Sequence, residues 1–268
     1  MKTIFVTGND YRHLFMIQKF SKYLNDFVWI IEKRDINIDH NFLKKKSKIY
    51  KNHIENFIKI QKHFFYKDGI SFFNLNKKKI HFLDRNKISF DQFNDKIIDL
   101  VKQYRPNILI SYGCQKINVQ KVKKIKIKKI KFFNIHGGLL PKYKGVNTNF
   151  WPHYNNKSNH VGLTLHSLDQ KVDSGNIFFQ TSVEITKKDT VNTLSCKAIK
   201  NFSDIVPKKI SLLLKKNFYA KGIKTNSKSK LFLKKDFNPK YINKAYKNLN
   251  NHIKIKKNNS KPKLINIF

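Results

Sequence analysis

The chain opens with a short apolar strand, a glycine turn and an amphipathic helix, and this order restricts its fold more than any other feature. Ile4 to Val6 form the apolar run, Gly8 and Asn9 form the turn, and apolar residues then recur at near-helical spacing from Leu14 to Leu24. A strand that passes through a glycine turn into a helix typically begins a parallel sheet. We therefore predict an α/β protein with a Rossmann-like, mostly parallel sheet flanked by helices.

The segments that follow keep alternating between helix and strand patterns. Residues 49–65 predict an amphipathic helix, residues 68–76 a strand that emerges from a turn, and residues 90–104 a second helix that ends before Pro106. Residues 191–216 predict a helix that is interrupted or restarted at Pro207. We expect an α/β domain over residues 1–203 and a smaller helical and basic extension over residues 204–268.

The string FNIHGGLLPKYKG at residues 133–145 places two polar side chains where a strand ends. The apolar run before it predicts a strand, and Gly137, Gly138 and Pro141 break regular structure after it. Asn134 and His136 are alternate residues, so they share one face of the strand. The carboxyl end of a strand is also the usual place for ligands in an open α/β sheet. Both side chains are therefore candidates for a site.

A second polar turn lies about thirty residues further along the chain. Residues 161–165 alternate as a strand does, and Asp173 to Gly175 predict the turn that follows it. Asn and Asp also favour turns for structural reasons alone, and a histidine beside them can be an ordinary, partly buried residue. Other histidines of this region lack the ligand spacing of a metal site, and we interpret them as structural: His153, His160 and His166.

In combination, these pieces resemble the folate-dependent formyltransferases. The recurring pattern of that family is Asn-x-His, a small residue, Leu-Leu-Pro, a basic-Tyr-basic-Gly stretch and a later Asp-x-Gly; here it runs from Asn134 to Gly145 and then from Asp173 to Gly175. The segment NILISYGCQKI at residues 107–117 is similar to the strand and loop that hold the pterin of the formyl donor in that family. The resemblance covers residues 100–185 well and the rest of the chain loosely.

The resemblance implies an N-formyltransferase that moves a formyl group from the co-substrate 10-formyltetrahydrofolate to a primary amine, without a metal. Asn134, His136 and Asp173 would be its catalytic set. Asn134 and a protonated His136 would donate hydrogen bonds to the developing oxyanion, and Asp173 would orient His136 and help to remove the amine proton. Since no covalent intermediate is needed, Cys114 is not expected to be a nucleophile. The implied donor-binding residues are Ile110, Ser111, Tyr112, Gly113, Cys114, Lys116, Ile117, Gln170 and Val172.

Acceptor-binding residues are predicted at two places. The turn after the first strand could receive a phosphate of the acceptor, because free N–H groups at a helix amino terminus favour anions. A single glycine there makes no dinucleotide fingerprint, and a simple strand-to-helix turn explains the pattern equally well. Aromatic residues near 143–151 could stack on a base or sugar, or pack in the core. The candidates are Gly8, Asn9, Arg12, Lys142, Tyr143 and Trp151.

The resemblance also narrows the acceptor. The β-barrel that follows the catalytic core of methionyl-tRNA enzymes has no counterpart in the pattern of the last sixty or so residues. Glycinamide ribonucleotide enzymes typically have Pro-Ser where this chain has Gly137-Gly138. The stretch GVNTNFWPHYNN is similar to enzymes that formylate amino sugars carried on nucleotides. We expect such an acceptor, with phosphoribosylglycinamide or methionyl-tRNA formyl transfer as alternatives, and a 10-formyltetrahydrofolate hydrolase as an alternative outside the transferases.

The formal net charge of +39 raises a further alternative, a non-catalytic nucleic-acid-binding protein. Lysines are spread along the whole chain and arginines are scarce, which is typical of codon bias rather than of a binding patch. The run KVKKIKIKKIK at 121–131 predicts an amphipathic helix or an edge strand. We therefore expect an anionic small-molecule acceptor rather than nucleic acid.

Cysteine count and hydropathy indicate the compartment. Two cysteines make no disulfide framework, and no apolar run reaches the length of a membrane span. We expect a cytoplasmic protein, and the residues after about 225 could fold on the core or form a homodimer contact.

Overall fold

The structure, a computed structural model, describes residues 1–34, 47–125, 130–225, 229–255 and 262–267. Its strands are β1 (Thr3–Thr7), β2 (Phe27–Lys33), β3 (Ile80–Asp84), β4 (Ile108–Tyr112), β5 (Lys131–His136), β6 (Lys144–Gly145), β7 (Gly162–Ser167), β8 (Ile177–Ser182) and β9 (Leu231–Phe232). Its α-helices are α1 (Tyr11–Ser21), α2 (Lys48–Leu75), α3 (Phe90–Tyr104), α4 (Val119–Lys123), α5 (Trp151–Tyr154), α6 (Val191–Lys216) and α7 (Lys240–Ile255).

Among the described residues, seven strands form one sheet in the order β3-β2-β1-β4-β5-β7-β8. The first five are parallel, and β7 and β8 are antiparallel additions beside β5. Strand β1 pairs with β2 on one side and with β4 on the other, so the strand order reverses at β1. This confirms the predicted Rossmann-like, mostly parallel architecture.

Alternation along β1 shows how helices cover both faces of the sheet. Phe5 belongs to an apolar cluster that also holds buried residues of α1, α2, α6 and α7. Ile4 and Val6 point to the other face, into a smaller cluster with α3 and α4. Because successive strand residues point to opposite faces, a strand buried on both sides must be apolar throughout, as these residues are.

Two local predictions from the sequence are wrong. Residues 68–75 are not a strand but the last turns of α2. Gly69 in this segment allows α2 to approach α1 closely, since a Cβ there would lie 3.0 Å from Cβ of Leu14. Pro207 does not interrupt or restart its helix either, because α6 runs continuously from Val191 to Lys216. Pro207 itself is buried within α6, so packing of that face outweighs the backbone hydrogen bond that a proline removes.

The carboxyl-terminal part is attached to the rest of the chain by pairing and packing. Strand β9 pairs with β6 in parallel, with Gly145 opposite Phe232, and α7 packs against α5. The predicted division at residues 203 and 204 falls inside α6, so the two parts share one helix. In the lysine-rich run at 121–131, Lys121 to Lys123 are helical and Lys131 begins β5, a strand inside the sheet, whereas residues 126–129 lie outside the described residues.

Across the described ranges, no helix is both long and apolar enough to cross a membrane.

Candidate active site

A cavity of about 640 Å³ lies at the carboxyl ends of β1, β4 and β5. Strand order reverses at β1, and ligands of open α/β sheets bind beside such a point. The loop after β4, the end of β5, the loop between β7 and β8, and residues of α1, α2 and α6 line it. Its volume is in the range of small-molecule sites, which runs from about 300 to 1,000 Å³.

Asn134 is held on both sides of its amide group. Its Nδ2 lies 3.0 Å from Nε2 of His166, and its Oδ1 accepts a hydrogen bond of 2.9 Å from Oγ of Ser111. Both partners lie on the strands next to β5, where Asn134 is opposite Ser111 on β4 and opposite His166 on β7. Strand register therefore fixes the orientation of this amide at the cavity.

His136 is buried, and both of its ring nitrogens face acceptors. Its Nδ1 lies 3.2 Å from Oδ1 of Asp173, and its Nε2 lies 2.7 Å from the backbone oxygen of Tyr143. A carboxylate and a carbonyl can only accept, so the ring satisfies both contacts when both nitrogens carry hydrogen. The ring plane is thereby fixed between the turn after β7 and the loop after β5.

Asp173 reaches this position from a left-handed backbone conformation, with φ of 51°. Its Oδ2 accepts a 2.7 Å hydrogen bond from the backbone N–H of Gly145. Burial alone would raise the pKa of Asp173, but the hydrogen bonds from His136 and Gly145 outweigh it and leave the pKa below its usual value. Asp173 is therefore a carboxylate at neutral pH.

Gly145 can be only a glycine in this arrangement. Its φ is 93°, and a Cβ on it would lie 2.0 Å from the backbone oxygen of Phe232 in β9. The residue that donates to Asp173 is thus also the residue that pairs with the carboxyl-terminal strand.

His166 belongs to this group, although the sequence interpretation treated it as structural. Besides its contact with Asn134, its Nε2 lies 3.8 Å from Oδ1 of Asp173, and its Nδ1 donates to the backbone oxygen of Ser167 at 2.8 Å. Burial lowers the pKa of His166 to about 4, with a further contribution from His136. The neutral ring leaves Nε2 as an acceptor for the Asn134 amide. The sequence signal was a histidine in a short strand that alternates Leu163 and Leu165 with polar residues.

Most of the predicted donor-binding residues line the cavity. The exceptions are Ile110, which is buried in the sheet, and Gln170, which is exposed on its loop. The lining residues from the set are Ser111, Tyr112, Gly113, Cys114, Lys116, Ile117 and Val172. The same loops add four that were not predicted: Gln115, Leu168, Asp169 and Lys171. Burial raises the pKa of the Cys114 thiol to about 12, with a contribution from Glu32, so a reactive thiolate is disfavoured.

Of the predicted acceptor-binding residues, Arg12 lines the cavity and the others do not. Tyr143 and Trp151 are buried and stack on Phe232, with ring centroids 6.5 and 4.5 Å apart. Asn9 forms two hydrogen bonds with the backbone of Arg34. The two remaining residues of the set, outside the lining, are Gly8 and Lys142.

A buried carboxylate that the sequence did not single out links the loops at this edge. Glu32 is fully buried, receives a hydrogen bond of 3.0 Å from Nε of Arg34, and accepts another of 3.0 Å from the backbone N–H of Gln115. Through Arg34 and Asn9, the loops after β1, β2 and β4 are joined in one network. Glu32 therefore positions the loop that follows β4.

Comparisons with known proteins identify the family. A family model described as formyl transferase matches residues 62–210, which contain Asn134, His136, His166 and Asp173. This chain belongs to the formyl transferase family. Members to which it is similar include proteins named for different acceptors, methionyl-tRNA and phosphoribosylglycinamide.

Two relatives show how much of the chain is similar. The bifunctional polymyxin resistance protein ArnA of Wigglesworthia glossinidia brevipalpis is 36% identical over 122 residues, which are 46% of this chain and 18% of that protein. The phosphoribosylglycinamide formyltransferase of Haemophilus influenzae is 29% identical over 126 residues, or 47% of this chain and 58% of that protein. The chain thus spans less than two thirds of the length of either relative.

A solved structure supports the fold of this formyl transferase family member. The N-formyltransferase of Helicobacter canadensis, in complex with folinic acid and dTDP-3-aminofucose, superposes with a TM-score of 0.58 at 21% identity. The match covers 92% of this chain and 81% of that one.

Proposed function

We propose that this protein is an N-formyltransferase that moves a formyl group from 10-formyltetrahydrofolate to a primary amine on a nucleotide-linked amino sugar. One observation carries the proposal. Asn134, His136, His166 and Asp173 are joined by polar contacts at the cavity, inside the part of the chain that the family model matches. The catalytic domain spans residues 1–203 in this proposal, and residues 204–268 are an extension that shares α6 with it.

The lining of the cavity fits a flat, polar donor. The loop after β4 offers backbone groups around Gly113, whose φ is 60° and whose missing Cβ leaves room for the ring of His13. Val172 lines the cavity and the residue is 49% exposed, so apolar surface is available there to contact a bound ring. Family members use formyltetrahydrofolate, and the loop from Ser111 to Ile117 with Val172 is where we propose that its pterin binds.

Asn134 is the group best suited to stabilise the reaction. Attack of the amine on the formyl carbon moves negative charge onto the formyl oxygen, and a fixed amide N–H directed at that oxygen lowers the barrier. His136 donates to the carbonyl of Tyr143 in this structure, so it can assist only by exchanging that hydrogen bond.

The proton of the attacking amine needs an acceptor. Asp173 is a carboxylate at neutral pH, and Nε2 of His166 lies 3.8 Å from its Oδ1. We assign removal of the amine proton to Asp173, directly or through a water molecule, with His166 holding Asn134 in place.

The comparisons support an amine acceptor without naming it. A nucleotide-linked amino sugar is bound to the Helicobacter canadensis protein, whereas the Haemophilus influenzae relative is named for phosphoribosylglycinamide. The four cationic side chains of the cavity lining, against two carboxylates, favour an anionic acceptor of either kind: Arg12, Arg34, Lys116 and Lys171 against Asp169 and Asp173.

Release of tetrahydrofolate from 10-formyltetrahydrofolate tests the proposal. Purified protein would be assayed with nucleotide-linked amino sugars, with glycinamide ribonucleotide, with charged initiator tRNA and without an acceptor. We expect release that depends on the amino sugar and that His136→Ala abolishes. Equal release without an acceptor would instead identify a hydrolase, and release only with another acceptor would overturn the sugar assignment while keeping formyl transfer.

A further inference from the structure

Aromatic side chains form a continuous cluster on the surface of the cavity. Phe237 is its centre: its ring centroid lies 4.9 Å from that of Phe150, 6.0 Å from that of Tyr50 and 6.4 Å from that of His53. All four residues line the cavity together with Phe57. We refer to Tyr50, His53, Phe57, Phe150 and Phe237 as the aromatic wall.

The aromatic wall differs from an ordinary core cluster because most of it keeps exposed surface. Phe150 is buried, but Tyr50, His53, Phe57 and Phe237 are only partly buried. Burial lowers the pKa of His53 to about 4, so at neutral pH this ring is an uncharged flat surface like its neighbours. Rings that face a cavity and keep exposed surface can stack on a ligand, whereas core rings have no free face because they pack against one another.

The wall comes mainly from parts of the chain that the family model does not match. Tyr50, His53 and Phe57 precede residue 62, and Phe237 follows residue 210. Only Phe150 lies between these limits. The groups proposed for the shared reaction lie inside the match and most of the wall lies outside it, so we assign the wall to recognition of the acceptor rather than to the reaction itself.

A cationic group borders the wall within the same cavity. The Arg12 guanidinium lies over the Phe57 ring, 5.9 Å from its centroid, and donates a hydrogen bond of 3.0 Å to Oε1 of Gln61. It also pairs with Asp10, and its side chain is 24% exposed. A partly exposed guanidinium next to flat rings suits a ligand in which an anion adjoins a planar ring.

We propose that the aromatic wall and Arg12 bind the nucleobase and the adjoining phosphates of the acceptor, so that this enzyme requires a nucleoside diphosphate-linked amine. This inference rests on the proposed function and deepens it. Glycinamide ribonucleotide carries a phosphate and a ribose but no nucleobase, so it would leave the wall without a partner. A nucleoside diphosphate uses both parts of the site.

Binding of amine-free probes tests this inference separately from catalysis. The full chain would be titrated by calorimetry with uridine diphosphate, thymidine diphosphate, inorganic pyrophosphate and ribose 5-phosphate. We expect either nucleoside diphosphate to bind at least about tenfold more tightly than the two probes that lack a base. Loss of one stacked ring should weaken binding by roughly 5- to 150-fold, so Phe237→Ala and Tyr50→Ala are the variants to measure.

Phe218→Ala is the matched control, because Phe218 is a partly buried aromatic residue that does not line the cavity. It should leave nucleoside diphosphate binding unchanged. Folinic acid binding, measured in every variant, reports whether the fold and the donor side are intact, and Phe237→Leu replaces any alanine variant that fails this check.

Three results would overturn the inference. They are equal affinity for pyrophosphate and nucleoside diphosphates, unchanged nucleoside diphosphate affinity in both wall variants, or no nucleoside diphosphate binding by a chain that binds folinic acid. If the last result came with formyl transfer to glycinamide ribonucleotide, the reaction class would stand and only the acceptor subsite would fall. Failure to release tetrahydrofolate with every acceptor, despite intact nucleoside diphosphate binding, would instead remove the proposed reaction.

Discussion

Replacing His153 by Gln should make the protein less sensitive to acid. His153 is fully buried outside the cavity, and its Nδ1 lies 2.9 Å from Oγ of Ser158. Among the described residues, its Nε2 meets no hydrogen-bond partner. Burial, together with smaller contributions from His252 and His53, lowers the pKa of His153 to about 3. The folded protein therefore keeps this ring neutral.

The size of the effect follows from the difference between the folded and unfolded states. The ordinary pKa of the residue is 6.5 and the folded value is about 3, so between these limits the unfolded chain binds a proton that the folded chain excludes. The free energy of unfolding must then fall as the pH falls through this window. At pH 5, about 1.5 pH units below the unfolded pKa, the loss is about 2 kcal/mol at about 1.36 kcal/mol per unit. Total stability is typically about 5–15 kcal/mol, so this loss is measurable.

Urea unfolding at pH 7 and at pH 5 measures this quantity. We expect the drop in unfolding free energy between the two pH values to be about 2 kcal/mol smaller in His153→Gln than in the natural sequence. His63→Gln is the control, since His63 is exposed, and it should behave like the natural sequence. An equal drop in all three proteins would refute the reasoning.

The remaining predictions concern the site. Asp173→Asn should lower kcat by about 10²- to 10⁴-fold, because the amide cannot accept the amine proton. Asp169→Asn in the same loop is the control, and its kcat should stay near that of the natural sequence. Equal losses of kcat in both variants, measured by steady-state kinetics, would contradict the assignment. The pKa of His166 is about 4, so kcat should fall as the pH is lowered toward 4. The reason is that a protonated ring no longer accepts a hydrogen bond from the Asn134 amide. A kcat that stays constant down to pH 4 would argue against the proposed role of His166. Glu32→Gln should raise the KM for the formyl donor more than it lowers kcat, and an unchanged KM would remove its positioning role. Gly145→Ala should destabilise the fold by at least about 1–2 kcal/mol from the positive φ alone, as thermal unfolding would measure, and an unshifted melting temperature would falsify the close approach to β9.

Local patterns predicted the strands that carry the site. The runs that end at His136 and Ser167 alternate or are apolar as buried strands are, and the turn at Asp173 follows directly. These features depend on near neighbours in sequence, so they could be read without the structure. The same local patterns failed at Gly69, which permits contact between two helices rather than ending one.

His166 shows why part of the site was beyond such patterns. Its role comes from the register in which β7 pairs antiparallel with β5, so that it lies opposite Asn134. No local pattern fixes the pairing of two strands that are thirty residues apart. The aromatic wall is a similar case, because Tyr50 and Phe237 meet only when α2 and the carboxyl-terminal segment fold against each other.

Because Gly145 pairs with Phe232, part of the site can form only after the carboxyl-terminal segment has been synthesised. The sheet from β1 to β8 is fully synthesised long before β9, yet the backbone that donates to Asp173 is clamped by β9. A nascent chain that has folded its sheet would still lack one wall of the cavity and the clamp on its carboxylate. Catalytic competence would then arise late in translation, together with the last part of the apolar cluster that α7 supplies, and a chain released before residue 232 would lack both that part and the β9 contact at Gly145.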